Sequence, residues 1–344
     1  MIRTRKFLTI ALFLAAVPAK AQPREPRPDM SPHKVQMVSV AEGVELEVLD
    51  WGGSGTPMVF LAGLGSTGHD FDDFAPRFTA AHHVYAITRR GFGASSKPAP
   101  DGSNYTANRL GEDVLAVIEA LKIDRPVLVG HSVAGEELSA VASRHPEKLS
   151  GVIYLDAAYS YAYYAPGNLN PPNVNLTIDV NELRKKVQAL TPLWLNPRDA
   201  VPALDALLKT DVTRLQADIK AAQLALRTFP PAPSVPPTPA GAGQSPQKRI
   251  GDAIVEGVEK FDAVKLPVLA IFAMPEAAPP SVPPEMAAYV LGSAKLTKPA
   301  LIERYRQGNP GARVVLIPNA QHFIFKSNPD EVAQEIASFS SGLK

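Results

Sequence analysis

Ser132 stands where a serine can do chemistry. The stretch Val127-Leu128-Val129-Gly130-His131-Ser132-Val133-Ala134-Gly135 runs an apolar strand into Gly-His-Ser, then into small residues, then into a helical pattern. A serine between strand and helix sits on a sharp turn, with its hydroxyl above the sheet and the helix N-terminus beneath it. Small neighbours are needed because such a turn packs closely on adjacent strands. The same spacing also fits an ordinary strand-to-helix turn with a capping serine. As a nucleophile, the hydroxyl requires a base to take its proton, and the chain carries seven histidines.

A second pattern points elsewhere. Gly63-Leu64-Gly65-Ser66-Thr67-Gly68 reads as G-x-G-x-x-G after a strand, and the next strand ends in Arg89 and Arg90, where a dinucleotide phosphate could be held. Asp70, Asp72 and Asp73 oppose that reading, since they would repel pyrophosphate at a helix N-terminus. The motif is also not on the first strand of the unit. There is no H-E-x-x-H and no phosphate-binding lysine loop, so neither a metal nor a nucleotide cofactor is implied. Cysteine is absent, which excludes disulfides, thiolate metal sites and a cysteine nucleophile.

The elements that must position Ser132 alternate along the chain. Segments 35–40 and 44–50 read as two strands joined through Gly43, and 58–62, 83–88, 126–130 and 152–155 as further strands. Apolar residues at helical spacing mark 107–121 and 133–144. This alternation implies an α/β class with a mostly parallel sheet covered on both faces. The rhythm breaks over 157–262, where helical stretches 182–190 and 201–227 flank the proline-rich 229–247, which suits neither a regular helix nor a central strand. It resumes with strands at 267–273 and 312–317 and a helix at 329–340. The expected organisation is therefore a core of 35–156 and 263–344 interrupted by a helical insertion at 157–262.

The chain has 344 residues, 45% apolar and 20% charged, with a formal net charge of +1. That composition suits a globular core and disfavours nucleic acid as a partner. Arg3, Arg5 and Lys6 precede an apolar run from 7 to 17, followed by Ala19-Lys20-Ala21. This is the pattern of a secretory signal peptide cleaved after Ala21. The run falls short of the roughly 20 residues a bilayer span needs. Residues 1–21 are thus expected to be removed and 22–34 to form a flexible mature N-terminus. Export to periplasm or medium follows, without stable membrane insertion.

Taken together, these segments resemble the α/β-hydrolase superfamily. Phe60-Leu61-Ala62-Gly63-Leu64-Gly65-Ser66 is similar to the family's oxyanion loop, with Ala62 where relatives often have histidine. Thr88-Arg89-Arg90-Gly91-Phe92-Gly93-Ala94-Ser95 is similar to its R-G-x-G-x-S turn, and Asn319-Ala320-Gln321-His322-Phe323 to its histidine loop. The turn at Ser132 is similar to the family's nucleophile elbow, with Ala134 in place of the usual second glycine. The resemblance implies the α/β-hydrolase fold, with the insertion as a lid, and a serine-hydrolase mechanism in the order nucleophile, acid, histidine. Only His145 and His322 follow Ser132. His145 precedes Pro146 as a helix cap, which leaves His322 as the base. The resemblance implies Glu276 as the acid, in Ala273-Met274-Pro275-Glu276, with Asp156 after strand 152–155 as the alternative. The backbone amides of Leu64 and Val133 would form the oxyanion hole. Tyr159, Tyr161, Tyr163, Tyr164 and Trp194 would wall a substrate pocket or pack between lid and sheet. A serine at the elbow argues against epoxide hydrolases and haloalkane dehalogenases, which use aspartate there. The expected activity is cleavage of a small-molecule carboxylic ester or related acyl bond, with no cofactor. A peptidase, a lactonase or a non-catalytic binding protein on the same fold are the alternatives.

Overall fold

The computed structural model of the protein describes residues 32–101, 103–165, 172–192, 196–225, 227, 245–279 and 282–343. The expected signal peptide, Trp194 and most of the proline-rich stretch lie outside them.

Eight strands form one sheet in the order β1-β2-β4-β3-β5-β6-β7-β8. β1 (Lys34–Ala41) and β2 (Val44–Gly52) make an antiparallel hairpin, and β2 pairs antiparallel with β4 (Val84–Ile87). All later pairs are parallel: β3 (Met58–Leu61) with β4 and β5 (Val127–His131), then β6 (Gly151–Leu155), β7 (Val268–Met274) and β8 (Arg313–Pro318). Every residue of β3, β4, β5 and β6 is buried. This is why those strands read as unbroken apolar runs rather than alternating ones.

Successive side chains on a strand point to opposite faces, and the core divides accordingly. Val59, Leu61, Leu128, Val152, Tyr154, Ala270 and Phe272 face one layer, which includes helices α1 (Ala107–Ala120), α2 (Gly135–Arg144) and, later in the chain, the long helix Pro284–Gly308. Met58, Phe60, Val129, Ile153, Leu155, Leu269 and Ile271 face the other, with Phe71, Phe74, Phe78, Phe325 and Ile336. Burying one such side chain contributes roughly 1.5–3 kcal/mol, so this two-faced core is the main support of the strand ends.

Between β6 and β7 the described chain forms helices α3 (Pro172–Ala189), α4 (Pro197–Leu207), α5 (Thr213–Ala225) and α6 (Pro246–Glu256). The sequence reading of one helix over 201–227 is corrected here. α4 and α5 are separated by a wider π turn at Leu208–Val212, and the end of the proline-rich stretch becomes the capped start of α6. Pro246 takes the first helical position, where its missing N–H costs nothing. After β7 comes α7 (Pro284–Gly308), which the sequence reading did not assign to a helix. Pro283, Pro284 and Pro299 hide it, although the buried residues Lys298, Leu301, Ile302 and Tyr305 fall at i, i+3, i+4 and i+7. The short α8 (Ile324–Ser327) and α9 (Pro329–Ser340) close the chain.

Candidate active site

β5 delivers Ser132. The strand pairs residue for residue with β6, His131 opposite Leu155, so Ser132 and Asp156 leave adjacent strands at the same level. Both have left-handed backbones, φ 54° and 44°. Non-glycine residues seldom adopt this region, and it costs of order 1–3 kcal/mol. Here it turns each side chain out of the sheet edge. The crowding sits at Gly135, where a Cβ would come within 2.2 Å of the Ala157 carbonyl oxygen. Ala134 has φ −58°, an ordinary helical value. The departure from the usual motif at that position therefore strains nothing.

Ser132 Oγ lies 2.8 Å from His322 Nε2, and His322 Nδ1 lies 2.8 Å from Asp156 Oδ2. An ionised carboxylate only accepts hydrogen bonds. The Nδ1–H therefore donates to Asp156, and Nε2 is left bare to accept the Ser132 hydroxyl. Asp156 is fully buried. Its Oδ1 accepts from the Ala273 amide at 3.0 Å and from Lys298 Nζ at 2.9 Å, and the Tyr159 hydroxyl also bonds it. Burial acts to raise the carboxyl pKa, but the Lys298 ammonium and the His322 bond overcome it and hold the group well below the usual carboxylate range.

Glu276 is not part of this arrangement: it is exposed, and the acid facing His322 is Asp156. β7 stays paired with β8 as far as Met274 opposite Pro318, so Pro275 and Glu276 lie past the level at which Asp156 leaves β6. Lys298 fills the space at the end of β7 instead, donating to the Ala273 carbonyl at 2.6 Å as well as to Asp156.

His322 is held from behind. His131 Nε2–H donates to the His322 carbonyl at 2.9 Å, and the two rings lie 4.7 Å apart. Burial first, then the nearby His322, lowers the His131 pKa to about 3, so this imidazole is neutral. The loop of Gly63 and Leu64 closes over the elbow: a Cβ on Gly63 would meet His131 Nδ1 at 2.8 Å and Ser132 Cβ at 3.2 Å. Arg89 supplies the support that Ala62 does not. Its guanidinium donates to the carbonyls of Ala62 at 2.8 Å and Gly63 at 3.3 Å, and pairs with the buried Glu137. Those carbonyls are thus pulled down and fix the path of the following Leu64 amide. Leu64 and Val133 share an apolar cluster with Phe92, Tyr105, Ile250 and Ile254, which brings α6 over the elbow.

The two arginines weighed as phosphate ligands are engaged elsewhere, Arg89 with Glu137 and Arg90 with Asp113 at 2.5 and 2.6 Å. Of the expected pocket residues, Tyr161 bonds the Ser132 side chain through its hydroxyl. Tyr159 is buried beneath, with its ring near Phe272. Lys298, Arg89 and His131 were not singled out as site residues from the sequence. The available signal for Lys298 was a lysine on the apolar stripe of α7.

Residues 58–335 match the family model described as alpha/beta hydrolase family. A 2-(acetamidomethylene)succinate hydrolase of Mesorhizobium japonicum is 24% identical over 83% of this chain and 88% of its own length. A fluoroacetate dehalogenase of a Burkholderia species is 31% identical over 33% of this chain, a match that spans only 38% of that protein. The crystal structure of E-2-(acetamidomethylene)succinate hydrolase superposes with a TM-score of 0.54 and 20% identity, covering 90% of this chain and all of that one. With the sheet, the elbow and the family match in agreement, the chain belongs to the α/β-hydrolase family.

Proposed function

We propose that the protein is a serine hydrolase that cleaves a carboxylic ester or related acyl bond through an acyl-enzyme intermediate. The observation that carries this is the continuous line from Ser132 through His322 to Asp156, two hydrogen bonds of 2.8 Å each. In this reading Ser132 attacks the acyl carbon while its proton passes to His322 Nε2. Asp156 holds the imidazole in the required tautomer and stabilises the imidazolium. The Leu64 and Val133 amides receive the oxyanion. His322 then returns the proton to the leaving group, and water repeats the sequence to release the acid. Tyr161, at the Ser132 hydroxyl, positions the substrate, and α6 with α3 to α5 forms a lid. The surround of Leu64, Phe92, Val133 and Ile250 suits an apolar acyl group. A serine at the elbow, rather than a carboxylate, separates this chemistry from dehalogenation.

The test is hydrolysis of p-nitrophenyl acetate, butyrate and octanoate, with fluorophosphonate labelling of the same samples. Turnover that disappears in Ser132→Ala, with labelling at Ser132, supports the proposal. An inert wild type with unlabelled Ser132 would point to a non-catalytic binding protein. We also infer export with cleavage after Ala21, supported by Arg3, Arg5, Lys6 and the apolar run that follows. Amino-terminal sequencing of the protein recovered from outside the cytoplasm checks it, and a mature chain beginning at Met1 overturns it.

A further inference from the structure

A second cluster of metal-binding side chain types lies outside the Ser132 site. His33 immediately precedes β1. His69 belongs to the short 3-10 turn Gly68–Phe71, and Asp72 follows that turn directly. The His33 side chain is 1% exposed. Its ring stands edge-on to Trp51 with centroids 5.1 Å apart, and lies 5.2 Å from the ring of His69. His33 Nδ1 is 3.5 Å from Asp72 Oδ1, and His69 Nδ1 is 3.2 Å from Asp72 Oδ2. Glu47 approaches from β2, with Oε1 3.7 Å from His69 Nε2. One donor atom from each of His33, His69 and Asp72 falls within 4.8 Å of the other two.

We propose that His33, His69 and Asp72 bind a divalent transition metal of the zinc class, with water at the fourth position. The spacing suits that ion. A tetrahedral site with metal–ligand bonds of about 2.0–2.1 Å has donor atoms about 3.3 Å apart. Asp72 meets His69 through Oδ2 at 3.2 Å and His33 through Oδ1 at 3.5 Å. One donor from each residue lies within 4.8 Å of the others, a gap that small side-chain rotations would close around an ion. The donor set suits it as well. Two imidazoles and one carboxylate favour zinc and its neighbours, whereas magnesium and calcium call for oxygen-rich shells.

Such an ion would join the start of β1 to the turn that directly follows the Gly63–Gly68 loop. Asp70, within that turn, is already paired with Lys326 of α8. The metal would therefore tie the first described strand to the segment between the oxyanion loop and the histidine loop. It would add stability to the native chain by mass action, because the unfolded chain does not gather the three ligands.

The experiment uses the purified protein stripped with chelator. Cobalt(II) serves as the spectroscopic probe, zinc(II) as competitor, and the unfolding temperature as an independent readout. The expected result is one equivalent of cobalt per chain, with the intense visible bands of a four-coordinate site, displaced by zinc. Zinc should raise the unfolding temperature. His33→Ala and Asp72→Ala, shown to be folded by circular dichroism, should weaken binding by at least about 100-fold and abolish the thermal response. His322→Ala should bind as wild type does, which separates this cluster from the imidazole at Ser132. Lack of stoichiometric uptake by the wild type would overturn the proposal. So would uptake that survives His33→Ala and disappears in His322→Ala.

Discussion

The ends of β6 and β7 lie side by side in the sheet, and each is followed by a carboxylate. Asp156 follows β6 at once, on a left-handed residue, buried and bonded by a histidine, a lysine, a tyrosine and a backbone amide. Glu276 follows β7 after Met274 and Pro275 and is exposed. The difference comes from how far each strand stays paired. β6 ends at Leu155, level with Ile271, whereas β7 continues with β8 to Met274. A carboxylate's usefulness at a strand end thus depends on whether the chain turns inward there and on which partners are waiting. Lys298 is the decisive partner. Burying an isolated carboxylate is strongly unfavourable, and the ammonium from α7 allows Asp156 to remain charged at zero exposure.

The largest test of this contrast is Asp156→Asn. The amide would favour the wrong imidazole tautomer, and kcat/KM on an accepted ester should fall by about 10⁴-fold. A fall below tenfold would return the acid role to another residue. Lys298→Met removes one member of a buried ion pair whose side chains are 9% and 1% exposed. It should cost about 3–5 kcal/mol of unfolding free energy in urea. Adding Asp156→Asn to Lys298→Met should recover part of that loss. Strict additivity of the two single effects would show that the pair is not coupled.

The buried His131 sharpens the contrast from the other side, as a buried group left uncharged. Its pKa is lowered to about 3 from 6.5. An unfolded chain takes up a proton below pH 6.5 that native His131 refuses, so its stabilising effect is complete above pH 6.5. The effect is lost as the pH falls toward 3, at about 1.4 kcal/mol per unit. Between pH 7 and pH 5 the wild type should therefore lose about 2 kcal/mol more stability than His131→Asn; equal losses would contradict the assignment. The smallest effect belongs to Glu276→Ala, which should leave activity within about twofold and stability within about 0.5 kcal/mol. A large loss there would undo the distinction between the two strand ends.

Most of the sheet was legible because its strands are buried on both faces and written as short apolar runs. The elbow was legible because strand, Gly-His-Ser and helix are contiguous in sequence. Which of Asp156 and Glu276 faces His322 was not legible in the sequence, since it rests on register between strands distant along the chain. α7 was missed because Pro283, Pro284 and Pro299 obscure a stripe whose buried face includes a lysine. The role of Arg89 was hidden for a related reason. Two adjacent arginines at a strand end look like ligands for a phosphate, and nothing local shows that Glu137 and Asp113 take one each.

The site is divided in order of synthesis. Ser132 and Asp156 precede helices α3 to α6, while Lys298 and His322 follow them. β7 can pair with β6 only after that whole intervening stretch has been bridged. Closing so long a loop is entropically unfavourable until the contacts beyond it form. Ser132 and Asp156 therefore reach the sheet before His322 and Lys298 are made. In refolding from denaturant, secondary structure should return ahead of any turnover by the proposed site, and in the growing chain that site should stay incomplete until β7 and β8 have joined the sheet.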